Sequence, residues 1–369
     1  MHTGSILSLS HRNSKNKDLP SAGIPLVKTL KDNEMLSRLT AFCLLTAMVA
    51  EVASNPPALA LDAPSAAVVL AMPSLPPGKE TDVKLYAVGC SIITGRNAFE
   101  HMSNAELILW LAGNQFFAMD EVIAAFQKAN PTTTVGLITL PPGLLLQAIQ
   151  SGGWIYEGNR YGELPDIYAS VNLGHLQKLK ASGAMDSYMI YMHNELQIMV
   201  ARGNPKRITT IEDLGRTDVR TSMPNPVNEG IMQFYARKVL ERHGLWGAIS
   251  AGKECVSCQT TPNNWFTAVH HRETPERIKA GTSDAGLVWK TEVLEALRTG
   301  AEVDAIELQP QDSLRNEVSY VIGMLTNAKH VRAAYSYLEF LRSDAGQRVY
   351  RKFGFVEATD EELKSRPIN

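Results

Sequence analysis

The residues with the richest chemistry in this 369-residue chain are His270-His271-Arg272-Glu273. They stand directly before Thr274-Pro275-Glu276, which reads as a helix start: Thr as N-cap, Pro at the first helical position, Glu in the first turn. A metal site, a catalytic cluster, an anion pocket and a solvated loop all fit such a stretch. Neighbours in an extended segment face opposite sides, so only one of the two histidines is expected to enter a pocket. Arg272 suits an anion, through two parallel hydrogen bonds. A histidine with Glu229 or Glu273 suits a divalent ion, which makes His270, His271, Glu229 and Glu273 the alternative metal set. Cys255 and Cys258 predict a local disulfide in an oxidising compartment, with a metal pair or redox pair as alternatives. No His follows Cys258, so the haem-attachment signature is absent. Neither G-x-S-x-G nor H-E-x-x-H occurs, and no nucleophile stands beside an obvious base, so an enzyme is not expected.

The elements that must position these residues alternate between strand and helix. Residues 106–111 form a short apolar run, read as a buried strand, and a helical pattern from Phe116 to Lys128 stops at Asn130-Pro131. Further strands are expected over 134–140, 166–170, 195–201, 218–222, 284–289 and 318–324. Helices are expected over 144–150, after Gly230 through Glu241, over 291–298, and over 331–353. Such alternation predicts parallel sheets covered by helices. Ligands of open parallel sheets sit beyond the carboxyl ends of the strands, and the loops there carry Gly, Asn or Pro: 112–116, 140–144, 223–230 and 269–274. Each leads to a helix N-terminus, whose free N–H groups favour an anion.

The ends of the chain suggest export. Arg38 precedes an apolar run from Leu39 to Ala50, and Ala58-Leu59-Ala60 offers a small-x-small cleavage site. This is the layout of a signal peptide, too short to span a bilayer at about 20 residues. Met35 is a plausible true start, with residues 1–34 an upstream extension. Residues 61–104, rich in Ala, Pro and Ser at first, are expected to form a linker and N-terminal extension. Cys90 is left without a partner, and Ala87-Val-Gly-Cys90 faintly matches a lipoprotein cleavage site. The composition is 44% hydrophobic and 20% charged with a formal charge of -2, so no basic footprint for nucleic acid exists.

Several segments together resemble one family. Asp284-Ala-Gly-Leu-Val-Trp289-Lys-Thr-Glu292 is similar to a segment of periplasmic molybdate-binding proteins, as is Leu196 to Pro205. Ile211-Glu-Asp-Leu214 and the loop from Val219 to Gly230 resemble further segments, and so does Tyr337 through Phe355. The resemblance covers about residues 105–355. It implies a type 2 periplasmic binding fold: two α/β lobes, each a mostly parallel sheet with helices on both faces, joined by two hinge crossovers. Lobe one would comprise 105–190 plus 310–369, and lobe two 191–309. It also implies a monomeric periplasmic receptor, without a cofactor, that clamps an oxyanion such as molybdate or tungstate and delivers it to an ABC transporter permease. The family's binding positions fall here on Gly113, Asn114, Gly143, Asn228, Glu229, Gly230, His271 and Arg272, and Trp289 takes the place of a family tyrosine. Three departures bear on the ligand. Pro141 and Pro142 lack N–H donors where the family has Ser beside Gly. Asn114 replaces a serine. Glu229 would repel a dianion if it faced the cleft rather than solvent.

Overall fold

A computed structural model describes residues 70–76, 80–89 and 91–369. The signal-peptide features before Leu61, residues 61–69 and 77–79 of the expected linker, and Cys90 lie outside the described residues.

Six-residue runs with no polar interruption become central strands. Leu107–Ala112 is buried at every position, as a strand covered on both faces must be. It pairs in parallel with Val135–Leu140 and with Ile167–Ser170. The flanks of this first sheet are antiparallel: Val83–Tyr86 joins Val135–Leu140 on one side, and Ser319–Met324 and Ser187–His193 extend the other. The second sheet repeats the plan. Thr221–Met223 pairs in parallel with Asn264–Phe266 and with Ala285–Trp289. Leu196–Ala201 then pairs antiparallel with Ala285–Trp289 and Val303–Glu307. The parallel pairing expected from strand–helix alternation therefore occupies the centre of each sheet. These antiparallel neighbours are strands distant in the chain, with helices and other strands between them.

The chain crosses between the sheets twice, between His193 and Leu196 and between Glu307 and Ser319. The two sheets thus define two lobes. Residues 83–104 are part of the first lobe rather than a tether, contributing the strand Val83–Tyr86, the short strand Ile92–Thr94 and the helix Gly95–Glu100. Among the described residues no helix is long and apolar enough to cross a membrane. Cys255 and Cys258 are joined in a disulfide, as expected.

The helices meet the lengths read from periodicity, with three exceptions. The helix expected from Phe116 starts at Met119, after a 3-10 stretch over Gly113–Ala118. The helix after Gly230 is not uniform: Met232–Ala236 is a π-helix before Arg237–Arg242. The helix expected to start at Thr274 begins at His270 and runs to Lys279, with Pro275 in its interior. The carboxylate of Glu273 is the reason. It accepts from the N–H groups of Ala268 (3.1 Å) and Val269 (3.0 Å), which caps the helix four residues earlier than the Thr-Pro-Glu pattern suggests. Pro275 sits where its missing N–H forfeits one hydrogen bond of the second turn.

This helix lies close on the second sheet through Gly286. A Cβ at Gly286 would sit 2.6 Å from the Ser222 carbonyl oxygen and inside the methyl of Thr274. The carbonyl belongs to a strand and cannot retreat. Gly286→Ala is expected to destabilise the protein by about 1–3 kcal/mol, read as a lower urea midpoint, because it overpacks the seat of the His270–Lys279 helix.

Candidate functional site

The carboxyl ends of the parallel strands of both lobes face one another, and the loops there build the site. From lobe one come Gly113 and Asn114 after Leu107–Ala112, and Pro142 and Gly143 after Val135–Leu140. From lobe two come residues 225–230, the start of the His270–Lys279 helix, and Thr291 and Glu292 at the start of Lys290–Arg298.

His270 is the most constrained side chain. Its Nδ1 lies 2.9 Å from Glu229 Oε2 and its Nε2 lies 3.0 Å from Glu292 Oε1. Its backbone N–H donates to Glu229 Oε1 at 3.0 Å. All three residues are buried, with 2% of His270, 1% of Glu229 and 5% of Glu292 exposed. Burial by itself would strip the proton from His270, but the two carboxylates outweigh it and push the pKa up to about 10. Burial raises the Glu292 carboxyl above its ordinary range, and the imidazolium offsets part of that rise.

His271 is buried too, and of the two histidines it alone lines the cavity between the lobes, as expected. The segment is helical rather than extended, and the two rings stand edge to face with centroids 5.5 Å apart. His271 stacks on Phe116 of lobe one at 5.2 Å. A Cβ on Gly113 would lie 3.0 Å from His271 Nε2 and closer still to Cε1, so only glycine lets the lobes meet there. Atoms of His270, His271 and Glu292 lie within 4.8 Å of one another. A cavity of about 240 Å³ between the lobes reaches His271 and Glu292, with Phe116, Phe117, Arg272 and Ala296 also on its wall.

The remaining positions singled out from the sequence fall as follows. Arg272 pairs with the buried Asp82 of lobe one and lies 3.5 Å over the Phe116 ring, so its guanidinium closes the rim. Gly143 donates its N–H to the Asn228 carbonyl across the cleft at 3.0 Å, and Leu144 and Leu145 donate to Pro141. The first turn of the Pro142–Ser151 helix therefore spends its donors within the protein. Gly230 is a close-approach position as well: a Cβ would meet Val171 at 2.6 Å and Pro142 at 3.0 Å. The Asn114 amide donates to the Tyr320 hydroxyl, which also accepts from Asn194 at 3.1 Å. Trp289 is core, its ring flanked by Tyr235 and Tyr320. Glu229 is buried against His270 rather than turned to solvent. Glu273 caps its own helix and leaves the metal set. The residue that replaces it, Glu292, was not singled out; its place at the third position of a helix, with Oε2 accepting from the Trp289 N–H at 3.2 Å, disguises it as a cap. Tyr320 and Asn194 were missed because nothing local marks them.

A second polar contact crosses between the lobes at His175. Gln233 donates to the Val227 carbonyl at 2.6 Å, so its Oε1 faces His175 Nε2 (3.1 Å) and Nε2–H must donate. Tyr168 donates to the Pro142 carbonyl at 2.7 Å, which leaves Ser170 to donate to His175 Nδ1 at 3.1 Å. Close by, the Tyr235 hydroxyl donates to the Val171 carbonyl at 2.6 Å. Burial lowers the His175 pKa to about 4, against a smaller raising effect of Gln233.

Comparison with known proteins adds lineage to this geometry. The family model described as bacterial extracellular solute-binding protein matches residues 107–356. The chain belongs to that family. Its members are solute-binding proteins rather than enzymes, and the matched residues contain the parallel centre of both sheets and every cleft loop. Over 279 residues the chain is 21% identical to a Bacillus subtilis (strain 168) protein named as an ABC transporter substrate-binding lipoprotein, covering 74% of this chain and 94% of the relative. The fold is shared with the periplasmic molybdate-binding protein of Azotobacter vinelandii at a TM-score of 0.54, with 14% identity over 69% of this chain and 100% of that one. It is shared likewise with the substrate-binding protein of an ABC transporter from Agrobacterium tumefaciens, at a TM-score of 0.55 and 14% identity over 76% and 84% of the two chains. The solute-binding family thus carries the two-lobed type 2 periplasmic binding fold.

His175 and His270 give this solute-binding protein opposite pH dependences. His175 has a folded pKa below its unfolded value, so acidification from about 6.5 towards 4 binds protons preferentially to the unfolded chain and removes up to ~3 kcal/mol of stability. His270 has a folded pKa above its unfolded value, so its contribution is complete below about 6.5 and is lost as pH rises towards 10. Urea midpoints of the ligand-free protein measured from pH 4 to 10 are expected to peak near 6.5, and His175→Gln is expected to flatten only the acid limb.

Proposed function

We propose that this protein captures a small solute between its two lobes outside the cytoplasm and delivers it to the permease of an ABC transporter. The observation that carries the reading is the closed cleft itself: polar and charged side chains of both lobes are buried where the loops meet, beside a cavity that reaches them. A folded chain does not bury two carboxylates and two imidazoles at a lobe boundary for stability alone, since each must be desolvated. Family membership and the role given in the name of the Bacillus relative support delivery to an ABC transporter. The signal-like segment before Leu61 supports export to the periplasm, and a monomer suffices because both cleft walls come from one chain.

An oxyanion of the molybdate or tungstate type is the ligand suggested by the fold shared with the Azotobacter protein. Helix N-termini around the cleft support it. Two features weigh against it: Gly143, Leu144 and Leu145 donate within the protein, and Glu229 and Glu292 present negative charge to the same space. Charge therefore favours a solute with a cationic centre.

Two measurements test the receptor reading. A thermal-shift panel of molybdate, tungstate, sulfate, phosphate and divalent metals is expected to show one stabilising class, by about 2.7 kcal/mol at 100 times its dissociation constant. Small-angle scattering with that solute is expected to give a smaller radius of gyration than without it. A bound solute that leaves the radius unchanged would overturn the clamp. N-terminal sequencing of exported protein is expected to start near Leu61; an intact N-terminal segment would overturn the cleavage.

A further inference from the structure

Resting on the reading of the cleft as the solute site, we infer that His270, His271 and Glu292 form a site for a divalent first-row transition metal, with Glu229 as the group that orients His270. The ligand of the receptor is then the metal ion itself or a small complex of it.

Four observations carry the inference. The first is spacing. The ligand atoms of the three residues lie within 4.8 Å of one another, and His270 Nε2 is 3.0 Å from Glu292 Oε1. Two ligands each about 2.1 Å from one ion, at right angles, stand about 3 Å apart, so the His270–Glu292 pair already has ligand spacing and His271 would close on the ion by a side-chain shift. The second is the partner of His270. Ligating imidazoles are held by a carboxylate at their other ring nitrogen, and Glu229 Oε2 lies 2.9 Å from His270 Nδ1 while its Oε1 grips the His270 backbone N–H. The third is charge. Two carboxylates flank the His270 imidazole in a buried space, and a divalent cation that displaces its proton supplies positive charge to both. The fourth is access and cover. The cavity between the lobes opens on His271 and Glu292, and all four side chains come from lobe two. An ion can therefore load while the lobes are apart, and Gly113 lets lobe one close over His271 afterwards.

The donor set selects the class of ion. Imidazole nitrogen with one carboxylate suits zinc, cobalt, nickel, manganese or ferrous iron, whereas calcium and magnesium prefer sites built from oxygen.

The test uses the mature protein stripped with a chelator. Zinc, cobalt, nickel and manganese salts are titrated by calorimetry, with molybdate, sulfate and phosphate in parallel. One metal ion per chain is expected. Cobalt is expected to give visible absorption bands, and X-ray absorption of the loaded protein to show imidazole scattering from two histidines. Glu229→Gln is expected to weaken binding by ~10–100-fold, with His271→Ala and Glu292→Gln weaker still. Glu292→Gln keeps size and cap geometry, so it answers if His271→Ala fails to fold. Metal affinity untouched by His271→Ala and Glu292→Gln, or no metal binding at all, overturns the site. If an oxyanion but no metal compacts the protein, the metal site falls and the receptor stands. If the metal binds through these residues but the radius of gyration does not change, the site stands and the clamp falls.

Discussion

The His270 imidazole between Glu229 and Glu292 is the constraint on which the rest of the cleft depends. A carboxylate removed from water costs several kcal/mol unless a cation or a set of donors replaces the solvent. Here two carboxylates share one space, and each is satisfied through the same histidine. That histidine has to arrive with its backbone N–H as well as its ring, because Glu229 takes both. The start of the helix at His270, the approach of that helix to the sheet over Gly286, and the position of Glu292 after Trp289 all follow from bringing three charged groups to one point.

The same geometry explains why the cleft glycines matter. Gly113, Gly143 and Gly230 read from the sequence as places where backbone N–H groups would meet an anion. In the folded protein each is a place where a Cβ would collide with the opposite lobe: with His271, with the Asn228 backbone, and with Val171 and Pro142. Their conformational freedom is not the point, since none has a positive φ. What they supply is an absence of bulk, which lets the lobes close until side chains of one wall touch the other. The cleft walls then divide their work. Lobe two carries charge, whereas lobe one offers an amide at Asn114, the hydroxyl of Tyr320, the stacked ring of Phe116 and the Asp82 partner of Arg272.

Much of the fold was legible because its signals are local. The unbroken apolar run 107–112, the stop at Asn130-Pro131 and the Pro-Pro-Gly turn before the helix at 142 report on their own neighbourhoods, and the order of such elements implied two lobes. The π-helical stretch at Met232–Ala236 was not legible, since its residues are ordinary helix formers and their register is set by packing against lobe one. The helix at His270 was misplaced for a related reason. Thr-Pro-Glu is a good local start, but Glu273 capping Ala268 and Val269 is a better one once Glu229 holds the His270 backbone.

By itself, then, the sequence determined the class of the chain, the alternation of its elements, the Cys255–Cys258 bond and the loops at the carboxyl ends of the parallel strands. Each is written in residues close together along the chain. Only the tertiary structure decided which charges meet. Glu229, His270 and Glu292 are separated by dozens of residues, and Glu292 looks like a helix cap until Glu229 appears on the far side of the imidazole. Arg272 looks like an anion clamp until Asp82, 190 residues away, takes its guanidinium. Charges are selected by their neighbours in space, because the cost of burying one is met only by the group that folding brings beside it.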